Sequence, residues 1–461
     1  MKNTIISGLL LFLVFAASCQ KQDDWLDVKN NKSSVTPRDL QDLQAILDNT
    51  QVMNASCPIL GLIGSDNVYF SEASVGAITA PNRNTYLWQK DIYQGANSPD
   101  WQNPYQQVEY SNIVLERSAL LKPAAGEQTA FDNVRGSALF YRAFAFYQLS
   151  QLFAKPYSPG TAGTDAGIVV RLTADVNQRS VRSTVQEGYD QVIKDLKEAT
   201  ALLPAVPLYK TRPSQTAALA LLAKVYLLMQ NYQEAFRYAD DALKTQGDLL
   251  DFKTLNITAN QPFPSFAKGN PEIIFYASAL GNSAVWPLST HGRVNPSLYG
   301  QYTDNDLRKS AFYSLDSKTG LYRYKGSYEG SNFYNFTGFA TNELYLIRAE
   351  SALRNGNIIT ALDDLNRLLS KRYNATYVPV NTGQTAELLA RIITERRKEL
   401  PFTGNIRWED LRRFNQRSET AVTIERNYKG QIYQLAPNSP LYTLPIPQNE
   451  IDASGIAQNP R

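Results

Sequence analysis

The stretch AALALLAKVYLLMQNYQEAFRYADDALKT, residues Ala217–Thr245, decides the fold class of this 461-residue chain. Apolar residues recur at helical spacing on either side of Asn231, which marks a turn between two helices. Ala223 and Ala235 lie 12 positions apart, and residues this small let two antiparallel helices approach closely. The stretch therefore predicts a helix–turn–helix unit of the kind that repeats along a chain.

A second stretch with the same layout spans residues 342–369. Ala349 and Ala361 are again 12 positions apart, and Gly356-Asn357 marks the turn. Two further helical pairs are weaker: 131–153 with 184–203, and 386–400 with 406–415. These units resemble tetratricopeptide repeats, and four pairs are enough for a stable stack. We predict an all-α, mostly helical chain built as a tetratricopeptide-like repeat stack; an unrelated bundle with alanine-rich contacts is the alternative.

Two long segments interrupt the helical pattern. Both are rich in Gly, Asn, Ser and Pro and carry aromatic residues without any period. Loops of this length are uncommon unless they are functional or contain their own elements. We expect one unit over residues 35–461, in which long irregular, loop-rich insertions are mounted on the helices. The repeat helices are predicted at about 105–153, 184–245 and 342–416, and the irregular segments at about 50–104 and 246–341.

The N-terminal residues have the pattern of a processing signal. The apolar run from Ile5 to Ala17 is too short to span a bilayer comfortably and suits the core of a signal peptide. It ends in Ala-Ala-Ser before Cys19, which resembles a bacterial lipobox. We therefore expect a signal peptide at 1–18, lipid attachment at Cys19 and a lipidated tether at 19–34. An ordinary signal peptide that happens to contain a cysteine is the alternative.

The residues after Cys19 carry a further pattern. Lys21 is followed closely by the paired acids Asp23 and Asp24. This arrangement resembles the surface-export signal of Bacteroidetes lipoproteins; a generic polar tether is the alternative. The export reading predicts that the protein lies on the outer surface of the outer membrane, held there through its N-terminal lipid only.

Composition argues against several classes of function. A formal charge of +3 over 461 residues is close to neutral, so we expect no nucleic-acid partner. Two cysteines and one histidine do not make a Cys/His zinc site or a disulfide scaffold, and we expect no metal and no cofactor. The common phosphate-loop, metalloprotease and serine-hydrolase motifs are absent from the sequence, so we predict no catalytic residue. Glycosidases need only two carboxylates, and a glycoside hydrolase remains the enzymatic alternative.

Five motifs occur in a recognisable order along the chain. They are Trp25-Leu26-Asp27-Val28, ELYLIRAE at 343–350, RRKEL at 396–400, RWEDLRR at 407–413 and LPIPQNEI at 444–451. Together with the lipobox they resemble the SusD/RagB family of outer-membrane lipoproteins. The chain departs from the family pattern at Thr403, where an acid is frequent, and at Ala453-Ser454, where Asn-Pro is frequent. The arginine-rich RWEDLRR motif is predicted to tie the last helix to the stack through salt bridges and packing of the arginine stems.

The resemblance implies a SusD-like, non-enzymatic protein for nutrient capture. Such proteins lie as a lid over a SusC-like TonB-dependent transporter, bind oligosaccharides or polysaccharide, and hand them to the barrel. Some branches of the family bind oligopeptides instead, and the residues do not distinguish a glycan from a peptide ligand. A bare interaction scaffold is the remaining alternative.

Aromatic residues in the irregular segments are the candidates for ligand contact. Aromatic faces offer a large contact area with few rotatable bonds, and nearby polar groups orient a ligand. Because these segments are the only long aperiodic stretches that carry Trp, we expect them to converge on one ligand face. The aromatic candidates are Tyr69, Tyr86, Trp88, Trp286 and Tyr299, and the polar candidates are Asp66, Asn67 and Arg293.

Overall fold

A computed structural model describes residues 37–279 and 281–461; the predicted signal peptide, Cys19 and the tether lie outside these residues. The described chain is mostly helical, which confirms the predicted fold class. Its helices are α1 Leu40–Leu47, α2 Thr50–Met53, α3 Leu60–Gly64, α4 Glu72–Ala77, α5 Ala80–Tyr86, α6 Pro99–Ser118, α7 Gln128–Phe153, α8 Val185–Leu202, α9 Gln215–Leu228, α10 Tyr232–Thr245, α11 Pro296–Tyr299, α12 Arg308–Phe312, α13 Thr341–Arg354, α14 Ile358–Ser370, α15 Thr385–Glu399, α16 Ile406–Phe414 and α17 Gln448–Ser454. Its strands are β1 Val68–Tyr69, β2 Ile273–Phe275, β3 Arg293–Val294, β4 Tyr313–Asp316, β5 Leu321–Tyr324, β6 Phe339–Ala340, β7 Ile424–Tyr428 and β8 Gln431–Leu435.

The two clear repeats turn in the same way. Asn231 caps α10 by accepting a hydrogen bond from the Glu234 amide at 3.2 Å, and Asn357 caps α14 through Thr360 at 3.1 Å. A capping side chain satisfies one of the amides that every helix start leaves unpaired. The residue before each cap is left-handed, with φ of +60° at Gln230 and +85° at Gly356. The turns that join each helical pair are therefore built alike.

The long helices pack in chain order as a stack. Helix α6 packs on α7, α7 on α8, α8 on α9, and α9 on α10. Helix α10 then packs directly on α13, and α13 packs on both α14 and α15. Because α10 and α13 are neighbours, the segment 246–340 leaves the stack after α10 and returns to it at α13. The small residues of both repeats are fully buried in this packing: Ala223, Ala235, Ala349 and Ala361.

The two irregular segments meet each other in space. Strand β1 pairs antiparallel with β3, which places Val68 opposite Val294 and Tyr69 opposite Arg293. A parallel bridge also joins Cys57 to Ala279. The remaining pairs are short as well: β2 within the insertion pairs with β6 at its end, and β4–β5 and β7–β8 are hairpins. The predicted convergence of the two segments is thus present in the fold.

Two helices differ from the sequence expectation. Helix α6 begins at Pro99 and not near residue 105, because Pro99 occupies the first turn, where proline is tolerated, and Pro104 lies inside the helix. Helix α16 packs against α3 and does not simply pair along α15. A Cβ at Gly64 would lie 2.9 Å from the Trp408 ring, so this close approach requires glycine. The last helix thereby holds the first irregular segment on the body.

Candidate functional site

The irregular segments enclose a cleft of about 290 Å³. The first segment and the start of α6 supply most of the lining, and the second segment supplies the rest: Ser56, Cys57, Ile59, Leu60, Thr79, Pro81, Asn82, Tyr93, Asn97, Ser98, Pro99, Asp100 and Asn103 from the former, and Gly281, Asn282 and Ser283 from the latter. The amides of Asn82 and Asn282 exchange two hydrogen bonds, of 3.1 Å and 3.0 Å, across 200 residues of chain. The cleft therefore lies at the seam between the two segments, and this amide pair bridges that seam.

The cleft is lined by polar groups that carry almost no charge. The hydroxyls of Tyr93 and Ser98 are buried there, and neither has a hydrogen-bond partner among the described residues. Buried hydroxyls are usually hydrogen-bonded, so these two groups are available to a polar molecule that enters the cleft. Asp100 is the one ionisable carboxyl of the lining, and its Oδ1 accepts bonds from the Ile59 and Leu60 amides at 2.7 Å and 2.9 Å. Burial raises the pKa of Asp100 in spite of these two bonds.

Exposed aromatic rings stand at the rim of the cleft. Phe333 is 61% exposed and Tyr334 39% exposed, and the half-buried Trp286 meets Phe333 edge-on with ring centres 5.9 Å apart. Gly281 connects this rim to the cleft, since a Cβ added to it would lie 3.6 Å from the Tyr334 ring. The backbone oxygen of Asn282 also accepts a 2.9 Å bond from the Trp286 amide. We call Trp286, Phe333 and Tyr334 the aromatic rim.

Two of the predicted aromatic contacts, Tyr86 and Trp88, belong to the core. Each of the two side chains is 4% exposed. The Trp88 indole donates to the Gly64 carbonyl at 2.9 Å. The Arg426 guanidinium lies 3.6 Å from the Tyr86 ring centre and 4.2 Å from that of Trp88. The expectation that these rings face a ligand is corrected by their burial, because the protein's own arginine occupies their faces.

The predicted polar candidates Asp66 and Asn67 are also buried. Asp66 pairs with Arg407 at 2.7 Å and with Arg397 at 3.0 Å. Burial alone would raise the pKa of the Asp66 carboxyl, but the two arginines hold the pKa well below its usual range. The Asn67 amide donates to the Pro401 carbonyl at 2.7 Å and accepts from Arg397 at 2.9 Å. Both side chains therefore fasten β1 to the late helices, which corrects their predicted place on a ligand face.

The remaining candidates divide into one buried residue and three half-buried ones. Arg293 is buried and pairs with Asp316 at 2.5 Å, so its charge is matched inside the protein, contrary to its predicted ligand-facing place. Tyr299 is half-buried and stacks on Tyr322 with ring centres 3.6 Å apart. Tyr69 is half-buried beside Arg293 in the β1–β3 pair. Ligand contact by Tyr69, Trp286 and Tyr299 stays a prediction.

The arginine-rich motif has the structural role that the sequence predicts. Arg407 binds Asp66, Arg412 donates to backbone carbonyls at the end of α7, and Arg413 binds Glu350 at 2.6 Å. All three arginines are buried. Their charges are matched by a carboxylate or by backbone oxygens, as buried guanidinium groups require. The motif ties α16 to the first irregular segment, to α7 and to α13.

Sequence reasoning missed the residues that the fold brings to the cleft. Asn82, Asn282, Tyr93 and Ser98 are ordinary loop residues in the sequence, and only their meeting across the seam makes a site. A signal was present at Phe333-Tyr334, two adjacent aromatics within an aperiodic segment. Among residues 37–279 and 281–461, no helix is long and apolar enough to cross a bilayer. That part of the chain also holds no cluster of three or more metal-ligating side chains.

Two family models match separate parts of the chain. Residues 24–227 match a SusD-like family described as starch-binding and associating with the outer membrane, and residues 275–461 match the SusD family. SusD-like protein P2 of Formosa agariphila is 26% identical over 383 residues, which are 70% of this chain and 73% of the relative. Both comparisons cover most of the body described above.

Solved structures share the fold at low identity. A SusD superfamily protein from Bacteroides vulgatus superposes with a TM-score of 0.76 at 22% identity, over 92% of this chain and 99% of its own. A SusD-like carbohydrate-binding protein from the same organism superposes with a TM-score of 0.70 at 19% identity, over 90% and 96%. The solved structures show the shared fold, while the family models match both the N-terminal and the C-terminal part, so the chain belongs to the SusD/RagB family.

Proposed function

We propose that this protein captures oligosaccharides in the cleft and passes them to a SusC-like TonB-dependent transporter of the outer membrane. The observation that carries the proposal is a polar cleft with one buried carboxyl, no Lys or Arg among its described lining and two unpaired hydroxyls, below an aromatic rim. Amides and hydroxyls can exchange hydrogen bonds with sugar hydroxyls, while rings such as Phe333 and Tyr334 can cover the apolar faces of sugar rings. The family described as starch-binding, and the carbohydrate-binding structural neighbour, support a glycan over other ligands.

Membership of the family supports the transporter as the partner. The proposed role is that of a binding subunit without catalysis, because the cleft combines one buried carboxyl with amides and hydroxyls. A glycosidase would need a second carboxyl across the bond that is cleaved. Asp100 is the one carboxyl that the described lining of the cleft provides.

Calorimetric titration of the purified protein without its first 19 residues tests the ligand class. The panel contains neutral polysaccharides, acidic polysaccharides and peptide mixtures. We expect a neutral polysaccharide to bind, and Phe333→Ala and Trp286→Ala each to weaken binding by roughly fivefold, because an aromatic contact is worth about 1 kcal/mol. Tyr209→Ala is the matched control, since Tyr209 is an exposed aromatic that does not line the cleft.

The same titrations separate the alternatives. Binding of peptides but not of glycans would replace the glycan with an oligopeptide. Release of shortened products during the assay would replace capture with hydrolysis. Binding to the transporter in the absence of any binding to the panel would favour a bare scaffold. Unchanged affinity in both aromatic variants would move the binding site away from the aromatic rim.

We further propose that Cys19 carries the lipid that holds the protein on the outer membrane, with the body outside the cell. The lipobox-like residues before Cys19 and the family description of outer-membrane association support this proposal. Cys19→Ala is expected to move the protein out of the membrane fraction in cells that lack the transporter. Cys57→Ala is the matched control, because the Cys57 thiol is buried and should leave membrane association unchanged. Retention of the Cys19→Ala protein in the membrane would contradict the anchor, and protease resistance of the body on intact cells would contradict surface exposure.

A further inference from the structure

We infer that a groove along α6 continues the cleft and binds further units of the same ligand, so that the protein takes an extended, uncharged oligosaccharide. This inference rests on the proposed function. The groove has a volume of about 550 Å³. One face of α6, the segment 169–180 and the chain around α17 form its walls. It is larger than the cleft, which alone measures about 290 Å³.

Asn103 joins the two spaces, because it lines both of them. Pro99 and Asp100, before it on α6, face the cleft, and Gln102, Gln106 and Glu109 face the groove. Successive turns of one helix therefore supply the floor of both spaces. From Pro99 to Glu109 the helix rises about 15 Å, at about 1.5 Å per residue. A chain molecule that enters the cleft has a continuous polar surface to follow past Asn103.

The outer wall of the groove is already fixed in place. The Tyr105 hydroxyl donates to the Val169 carbonyl at 3.2 Å and accepts from the Val169 amide at 3.0 Å. The Asn112 amide donates to the carbonyls of Arg171 and Thr173, each at 3.1 Å. Glu116 accepts from the Ala174 amide at 2.9 Å. A wall held by this many bonds to α6 needs little ordering when a ligand binds, which favours affinity.

The charges along this path favour an uncharged ligand. Among the described residues that line the cleft there is neither Lys nor Arg. The groove has one basic side chain, Arg171, and its guanidinium already donates to the carbonyls of Asp175 at 3.0 Å and Gln178 at 2.6 Å. Glu109 and Glu450 add negative charge to the same groove. Sulfate or uronate groups would meet acidic side chains here, with little positive charge to balance them.

Titration with short and long neutral oligosaccharides tests the inference. The probes are maltose with maltohexaose, cellobiose with cellohexaose, and xylobiose with xylohexaose. In the pair that binds, the hexamer is expected to bind at least about fivefold more tightly than the dimer, because each added hydrogen bond contributes about 1 kcal/mol. Gln106→Ala, and Ala174→Trp, which narrows the groove, should each reduce the advantage of the hexamer and leave the affinity of the dimer unchanged. Gln233→Ala, an exposed substitution on α10, is the matched control.

The outcomes distinguish this inference from the proposed function. Equal affinities of dimer and hexamer would overturn the groove and leave glycan capture in the cleft standing. An equal loss of dimer and hexamer affinity in the groove variants would also overturn it, because the groove would then not be a separate extension. Tighter binding of a galacturonate hexamer than of the neutral hexamers would overturn the inferred lack of charge. Binding of no neutral pair would overturn both the inference and the proposed glycan ligand.

Discussion

At the scale of single residues, Glu329 is a buried carboxyl without a matched cation. Its side chain is 7% exposed, and its Oε2 has no hydrogen-bond partner among the described residues. Burial raises the pKa of Glu329 to about 7, and hydrogen bonding with Ser278 and Tyr276 offsets only part of this rise. The folded protein therefore prefers the protonated acid, whereas the unfolded chain ionises the same group near pH 4.5.

This preference predicts a pH-dependent effect of Glu329→Gln. The stabilisation from the protonated acid is complete below about pH 4.5 and is lost as the pH rises through about 7. The amide cannot ionise, so the variant should gain up to about 3 kcal/mol of stability over the wild type at pH 8, and almost nothing at pH 4. Denaturant unfolding at the two pH values measures the difference. Glu419→Gln is the exposed control, and an equal gain at both pH values would contradict the assigned pKa.

At the scale of elements, the Asp66 ion pairs connect β1 to α15 and α16. Arg407 and Arg397 are both directed at this one carboxylate, and the side chains are largely buried. Removing one member of a buried pair leaves a charge without a partner, and the cost is typically about 3–5 kcal/mol. We therefore expect Asp66→Asn to lower the free energy of unfolding at pH 7 by about that amount. Because the folded pKa of Asp66 is depressed, its stabilisation is present above its unfolded pKa and is lost as the pH falls through the folded value.

The measurement is denaturant unfolding at pH 7, followed by tryptophan fluorescence. Asp363→Asn is the matched control, since Asp363 is exposed on α14. Combining Asp66→Asn with Arg407→Met should restore part of the loss, because the second change removes one of the two guanidinium charges left without a partner. A loss below about 1 kcal/mol for Asp66→Asn would place this pair with ordinary surface ion pairs and contradict its proposed role.

The helical elements could be predicted because their signals are local. The spacing of Ala223 and Ala235, and the asparagine at the turn, lie within one short stretch of chain. The capping box of α8 is equally local, with Thr184 and Glu187 bonded reciprocally at 3.1 Å and 2.7 Å. The start of α6 is harder to predict, because Pro104 lies inside the helix, where proline is unfavourable and normally marks a boundary.

The ligand-face residues could be predicted only in part, because burial there depends on distant partners. In the sequence, Trp88 has the pattern of an exposed loop aromatic. In the fold, the Arg426 guanidinium lies over its ring. Arg426 also donates to the Tyr86 carbonyl, 340 residues away in sequence. The sequence around Trp88, Tyr86 or Arg426 gives no indication of these contacts. The convergence of the segments followed from their composition, but the choice of side chains at the cleft followed from tertiary packing.

At the scale of the whole molecule, buried ion pairs hold the long insertion on the stack. Arg308 at the start of α12 is fully buried and binds Asp306 at 2.7 Å, Glu395 at 2.6 Å and Glu399 at 3.0 Å. Arg372 binds Glu399 and Glu272, each at 2.7 Å. These side chains belong to three parts of the chain: Glu272, Asp306 and Arg308 to the insertion, Arg372 to the residues after α14, and Glu395 and Glu399 to α15. Such charges are expensive to bury, and their pairing makes the native arrangement much more favourable than one with a single partner displaced.

The attachment of the first irregular segment to late parts of the chain has a consequence for chimeric proteins. Residues 50–98 supply most of the cleft lining, yet the side chains that hold them include Asn405, Arg407 and Arg426 near the other end of the chain. A transplant of these loops into a relative would therefore succeed only if the matching late residues were exchanged with them. A change of ligand specificity would then require coordinated substitutions in two regions that are far apart in the sequence. Exchange of residues 50–98 alone would not be enough.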